Sequence, residues 1–102
     1  MRSKVKTLEE AARLVKDGDQ VVMSANMNKS PMAMLRQLVR QGTKSLRTVG
    51  VVGGEINLDF LVGAGATASV DTCSVSLGAF ARTGPNFGRY VLEGRVRALD
   101  NT

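Results

Sequence analysis

Hydrophobic positions along the 102-residue chain switch between the spacing of a helix and the short runs of a buried strand. Helical spacing predicts helices over residues 8–16, 31–41, 58–62 and 85–93, and short apolar runs predict strands over 20–23, 46–52, 69–76 and 96–99. Strands alternating with helices at this spacing indicate an α/β fold with a mostly parallel sheet covered by helices.

Local signals mark the helix ends. Thr7-Leu8-Glu9-Glu10 is a capping box, and Gly18 is expected to end the first helix. Ser30 as N-cap and Pro31 in the first turn are expected to begin the second helix, and Gly42 to end it. Gly84-Pro85-Asn86 is expected to begin the last helix, which Gly94 ends.

Composition fits one folded domain over residues 1–102. With 43% hydrophobic and 23% charged residues and only 2 prolines, the chain is not disordered, and its length leaves no room for a second core. It has no apolar run of the roughly 18 residues that a membrane span needs. The basic N-terminus leads into a helix start and not into the apolar segment of a secretory signal, so we expect a cytoplasmic protein.

The residue types exclude several chemistries. Without histidine, the chain has no His-dependent catalytic triad, and we expect no metal site. Cys73 is the only cysteine and is expected to be a buried, unreactive thiol. The net charge of +5 suits an anionic ligand such as a coenzyme. The basic residues are scattered and few aromatic residues accompany them, so we expect neither nucleic acid nor a membrane as partner.

Ligands of open parallel sheets bind beyond the carboxyl ends of the strands, which here means the loops 24–30, 53–57 and 77–84. In the first loop, Lys29 could place a charge on a phosphate or carboxylate beside a helix N-terminus, although an ordinary loop with good caps explains the same residues. In the second, Glu55 could act as nucleophile or base, but a single Glu is more often a solvated residue. The third contains Phe80 among small residues, which allows either close approach of a ligand or a simple turn.

The order of segments resembles the A subunit of family I coenzyme A transferases, of the glutaconate CoA-transferase type. The resemblance covers about residues 5 to 100 and rests on several segments together, of which Gly84-Pro85-Asn86-Phe87 is the most specific. The others are Asp17-Gly18-Asp19 with the apolar strand after it, the helix 31–42, Leu61-Val62-Gly63-Ala64-Gly65 and Val70-Asp71-Thr72-Cys73.

The first loop departs from the family. Where the family usually has Gly-Gly-Phe and a glycine before the proline, this chain has Ser24-Ala25-Asn26 and Ser30, in a loop about one residue shorter. The family's A subunits are also a few times longer than this chain, and their reaction uses a glutamate of the partner subunit or second half.

The resemblance implies the N-terminal part of an A-subunit-like fold that binds an acyl-CoA and a carboxylic acid. Coenzyme A thioester would be a substrate and not a covalently bound cofactor, and the chain would be catalytically incomplete without a partner that supplies the glutamate. That partner is expected to be a B-type subunit. The alternative is a non-enzymatic relic of the fold that self-associates as a homo-oligomer and binds a small anion or a partner protein. By position, the residues expected to line the cleft are Ser24, Asn26, Lys29, Gly53, Gly54, Phe80 and Asn86.

Overall fold

Four strands and four helices alternate along the chain. The computed structural model describes residues 5–24, 30–51, 55–72, 74–77 and 80–100. In chain order the elements are α1 (Leu8–Ala12), β1 (Gln20–Ser24), α2 (Met32–Arg40), β2 (Leu46–Val51), α3 (Glu55–Gly63), β3 (Thr67–Thr72), α4 (Pro85–Leu92) and β4 (Arg97–Asp100).

The strands form one parallel sheet in the order β1-β2-β3-β4, which confirms the predicted α/β fold. Each crossover therefore joins neighbouring strands, and right-handed crossovers between neighbours place all connecting helices on the same face. The helices contact one another in sequence, α1 with α2, α2 with α3 and α3 with α4. The described part of the chain therefore has one layer of helices on one layer of sheet.

The core lies between these two layers. Thr48 and Gly50 of β2 and Val70 of β3 point towards the helices and are buried. Leu35 and Leu38 of α2 and the buried leucines of α3 belong to the same core cluster as Val70. The apolar residues that form the core are Ala12, Met23, Leu35, Leu38, Leu58, Leu61, Val62, Ala66, Val70, Val75 and Val96.

The opposite face of the sheet carries no helix among the described residues. Its apolar side chains are partly exposed, Val22 at 60%, Val51 at 50% and Leu99 at 39%. We call this surface the open face. Its members, which share one side of the strands by register, are Gln20, Val22, Arg47, Val49, Val51, Ser69, Asp71, Arg97 and Leu99.

Helix α1 ends earlier than its apolar spacing predicts. It stops at Ala12 instead of Lys16, because the amides of Leu14 and Val15 bond to carbonyls three residues back and the Asp19 carboxylate accepts from the amide of Lys16 at 2.8 Å. The predicted capping box is confirmed at its first half, since the Thr7 hydroxyl oxygen accepts from the amide of Glu10 at 3.1 Å.

The bounds of three further elements differ from the sequence prediction. Helix α2 begins at Met32 with Pro31 as its N-cap, because Pro31 has a non-helical ψ of 55°. Helix α3 begins at Glu55 instead of Leu58, and strand β3 spans 67–72 instead of 69–76. Residues 74–77 leave the sheet because their backbone bonds to the next loop instead, with Gly84 N donating to the Val75 carbonyl at 2.7 Å and Leu77 N to the Ala81 carbonyl at 2.8 Å.

Among the described residues, no helix has the length and apolar character that crossing a membrane requires.

Candidate functional site at the carboxyl edge of the sheet

The candidate site lies where the strands end. Strands β1, β2 and β3 end at Ser24, Val51 and Thr72, and each is followed by a connection to a helix. Because the strands are parallel, all three connections meet at one edge of the sheet, as predicted from the sequence. The helices α2, α3 and α4 begin at this edge, so their positive dipole ends lie on that side.

The start of α2 has little negative charge of its own. Its N-cap residue, Pro31, makes no side-chain hydrogen bond to the helix amides, and the first turn has no acidic residue. Free amides at a helix start favour negative charge. Asn26 and Lys29, which are predicted site residues in the preceding loop, lie outside the described residues.

Helix α3 begins with Glu55, which is the acidic residue of its first turn. Glu55 is half-buried, and its backbone φ is 45°. A residue with a side chain rarely adopts this left-handed backbone conformation. Gly53 and Gly54, the predicted turn before it, lie outside the described residues. The geometry therefore places one carboxylate at the candidate site, on a backbone held in an unusual conformation.

The start of α4 is closed by a carboxylate from α3. Asp59 is buried, with 5% of its surface exposed, and its Oδ1 accepts from the backbone amide of Phe87 at 2.8 Å. Its Oδ2 accepts from Asn86 Nδ2 at 3.1 Å. The Gly84 N-cap has no side chain, so Asp59 performs the role of a cap from another helix.

Both polar atoms of the Asn86 side chain therefore form hydrogen bonds within the chain. Its Nδ2 donates to Asp59, and its Oδ1 accepts from Arg89 Nη2 at 2.9 Å. The side chain also packs closely on α3, where a Cβ added to Gly63 would lie 2.5 Å from Nδ2. Asn86 therefore has a structural role between α3 and α4, and its predicted contact with substrate stays a prediction.

Phe80 has no such packing. Its ring is 82% exposed, and its backbone amide donates to the Leu77 carbonyl at 3.2 Å within the turn after β3. The Ser76 hydroxyl donates to the Ala81 carbonyl at 3.3 Å. An exposed aromatic side chain is available for contact with a ligand.

Of the predicted site residues that the structure describes, Ser24 ends β1, Phe80 lies in the connection between β3 and α4, and Asn86 lies in the first turn of α4. The side chain of Ser24 is not among those described. Cys73 also lies outside the described residues. Asp59 was not predicted from the sequence. The sequence feature that could have indicated its role is a charged residue inside the otherwise apolar run 58–62. A buried helix tolerates such a charge only when the charge has a hydrogen-bond partner.

Within the described ranges, no three Asp, Glu or Cys side chains lie close enough together to hold a metal ion.

Comparisons with known proteins agree with this arrangement. A family model described as coenzyme A transferase matches residues 5–100. The chain is similar to the glutaconate coenzyme A-transferase of Acidaminococcus fermentans, with 26% identity and a TM-score of 0.82, covering 98% of this chain and 32% of that one. It is also similar in fold to a cysteine-to-serine variant of the decarboxylase AibA/AibB, with 24% identity and a TM-score of 0.78, covering 95% of this chain and 38% of that one.

The chain thus spans about a third of the length of these two solved structures, at 32% and 38%. No curated protein matches it significantly in sequence. Because the family model matches almost the whole chain, from residue 5 to residue 100, the chain belongs to the coenzyme A transferase family.

Proposed function

We propose that this chain forms the A-type half of a CoA-transferase cleft, in which it binds an acyl-CoA and a carboxylic acid at the carboxyl edge of the sheet. The observation that carries the proposal is the family match over residues 5–100, in a chain whose three strand-to-helix connections converge on one edge. The start of α2, which has no acidic residue in its first turn, and the exposed side chain of Phe80 support binding there, because a CoA thioester is both anionic and partly apolar.

In this proposal the chain is catalytically incomplete. A glutamate of a B-type partner subunit attacks the thioester carbonyl and takes the acyl group from CoA. The CoA thiolate then displaces the acyl group to give a glutamyl-CoA thioester and a free acid, and CoA passes to the acceptor acid by the reverse steps. The role of the present chain is to hold the substrates and to direct backbone amides at the developing oxyanions. A cytoplasmic location is part of the same proposal.

Calorimetric titration of CoA and acetyl-CoA into the purified chain tests the binding step. We expect saturable binding that Phe80→Ala weakens, because this exposed side chain contributes to the site and not to the core. Leu92→Ala is the matched control. Leu92 is 90% exposed and lies at the far end of α4, so its loss should leave CoA affinity unchanged. Absence of binding up to about millimolar ligand would overturn the proposal.

Intact-mass measurement after incubation with acetyl-CoA tests the missing nucleophile. The chain alone should show no acyl or CoA adduct. An adduct that disappears in Glu55→Gln would instead identify a nucleophile within this chain, at the carboxylate that begins α3. That result would contradict the catalytic incompleteness while leaving CoA binding in place.

A second candidate function is favoured by the open face of the sheet. Exposed valines on a sheet face favour association, so the chain is also a candidate for a non-enzymatic homo-oligomer that binds a small anion. The two functions separate in the titration, since only the first requires affinity for the CoA thioester above that for inorganic phosphate.

A further inference from the structure

We propose that Asp59 and Asn86 act together as a positioning pair, which fixes the connection between β3 and α4 and so determines the affinity for a CoA thioester without contacting it. The inference rests on the proposed function, in which this connection is one of the three that border the ligand. Three observations support it: the hydrogen bonds of the pair, the packing of Gly84 against Asp59, and the hydrogen bond that joins the two ends of the connection.

The two side chains of the pair hold each other through the chain's own hydrogen bonds. The buried Asp59 accepts from the Phe87 amide at Oδ1 and from Asn86 Nδ2 at Oδ2, at 2.8 and 3.1 Å. Asn86 Oδ1 accepts from Arg89 Nη2 at 2.9 Å. A buried carboxylate is costly unless it is hydrogen-bonded, so Asp59 keeps these two donors in place. Each of the four polar side-chain atoms has a partner within the chain, which suits positioning and not ligand contact.

Gly84, the last residue of the connection, packs directly against Asp59. A Cβ at this position would collide with Asp59 Oδ1 and lie 3.0 Å from Val75 Cγ1, so the backbone approaches α3 as closely as a glycine allows. The Gly84 amide also donates to the Val75 carbonyl at 2.7 Å. Asp59 therefore contacts the connection at the point where its two ends meet.

The segment 75–84 is a compact loop whose ends are joined. Besides the hydrogen bond between Val75 and Gly84, the Leu77 amide donates to the Ala81 carbonyl at 2.8 Å. Compact loops with joined ends often carry binding residues, and a ligand beyond the carboxyl ends of parallel strands lies against such connections. A small displacement of the joined ends moves the described residues of this loop together, and misplacement of binding groups by about 1 Å is enough to weaken their interactions.

The donors and acceptors of the pair can be exchanged, which provides a specific test. Asp59→Asn alone turns an NH2 towards Asn86 Nδ2, and Asn86→Asp alone places two carboxylates together. In the double variant Asp59→Asn with Asn86→Asp, the amide at position 59 donates to the carboxylate at position 86 and still accepts from the Phe87 amide. The carboxylate at position 86 accepts from Arg89, and the net charge equals that of the wild type. We call this double variant the exchange variant.

Calorimetric titration of CoA into the wild type and the three variants measures the effect on binding. Each single variant should weaken CoA affinity by about fivefold or more, because the connection is displaced. The exchange variant should regain affinity to within about twofold of the wild type, because its hydrogen bonds are restored. If either side chain contacted CoA directly, moving the charge from position 59 to position 86 would not restore the affinity.

Limited digestion with trypsin measures the position of the connection without any ligand. Arg82 is exposed and is the one basic residue of the segment 75–84. Cleavage after Arg82, followed by mass spectrometry, should be about fivefold faster or more in each single variant and as slow as wild type in the exchange variant. Gly42→Ala is the matched control, because it strains the backbone at the end of α2 and not this connection. It should change neither CoA affinity nor the cleavage rate after Arg82.

Circular dichroism establishes that each variant is folded, and Asn86→Ala replaces Asn86→Asp if the latter does not fold. Single variants that bind CoA as tightly as the wild type, an exchange variant that regains no affinity, or equal cleavage rates would each overturn the positioning pair and leave the proposed function intact. A wild-type chain that does not bind CoA would overturn the proposed function, and this inference with it.

Discussion

The Oδ1 atom of Asp59 accepts a 2.8 Å hydrogen bond from the backbone amide of Phe87, so the middle of α3 caps the first turn of α4. The two residues are 28 positions apart in the chain. The negative carboxylate lies at the positive end of the α4 dipole, where charge and hydrogen bond act in the same direction. The start of α4, and with it one side of the candidate site, is therefore fixed by a residue of α3.

Replacing Asp59 should destabilise the whole chain. We expect Asp59→Ala to lower the free energy of unfolding by about 2–3 kcal/mol, because the Phe87 amide and Asn86 lose a buried acceptor. Asp59→Asn keeps the acceptor for the Phe87 amide but loses the charge and turns an NH2 towards Asn86 Nδ2, so its loss should be smaller, about 1–2 kcal/mol. Urea denaturation of the three proteins measures both values. Equal stability of Asp59→Ala and wild type would show that this cap contributes nothing.

Alanine substitutions at two glycines near α4 should change the stability of the chain in opposite directions. In Gly84→Ala the new Cβ would collide with Asp59 Oδ1 and lie 3.0 Å from Val75 Cγ1, so we expect a loss of at least about 2 kcal/mol. In Gly88→Ala the nearest atom, Thr83 Cγ2, is 3.4 Å away, and the higher helix propensity of alanine should add about 0.5–1 kcal/mol. Thermal melting distinguishes the two. A melting temperature that changes in the same direction for both would contradict this description of the packing.

Gly42 should contribute to stability only because glycine adopts the backbone conformation found at this position. It follows α2 with a φ of 78°, and a Cβ there would meet no atom within 4 Å. Gly42→Ala should therefore cost about 1 kcal/mol through backbone strain. Gly42→Asn should cost less, because asparagine adopts the left-handed region more readily. Chemical denaturation provides the comparison, and an unaffected Gly42→Ala variant would be incompatible with the positive φ.

Arg95 should stabilise the C-terminal end of α4 through the ring of Tyr90. Its guanidinium lies 4.1 Å from the ring centroid, and its Nη1 contacts Glu93 Oε2 at 3.2 Å. Because the ion pair is exposed, most of the effect should come from the ring contact. We expect Arg95→Ala to lower stability by about 0.5–1 kcal/mol in wild type but by clearly less in a Tyr90→Leu background. A double-mutant cycle measures this coupling, and full additivity would argue against the contact.

The elements and their order were predictable from the sequence, because capping residues, glycines and apolar runs are local signals. Helix α3 was predicted too short. Asn57 and Asp59 are polar and interrupt the apolar pattern, yet both are buried, and only the tertiary partner of Asp59 explains its position. Strand β3 was predicted to reach Ser76 because Val75 is apolar, although Val75 turns towards the start of α4. Contacts between distant residues carry no signal in a single sequence.

The edge at which the strand-to-helix connections meet was predictable from the sequence, whereas the ligand contacts of the residues there stay predictions. Parallel strands determine that Ser24, at the end of β1, and the start of α4 lie at the same edge of the sheet, which follows from topology alone. The two hydrogen bonds of Asn86 depend on how α3 and α4 pack, which spacing does not reveal. For the same reason, no sequence pattern separates Asn86, held between helices, from Phe80, whose ring is exposed.

The strand order has a consequence for synthesis on the ribosome. Each strand pairs with the strand that precedes it in the chain, as in the pairing of Thr48 with Val70. The partner of each new strand has therefore already been translated. None of the four described strands pairs with a strand that is distant in the chain, so the entropic cost of closing each loop stays small. The domain can therefore assemble cotranslationally, one strand and helix at a time, as the nascent chain lengthens.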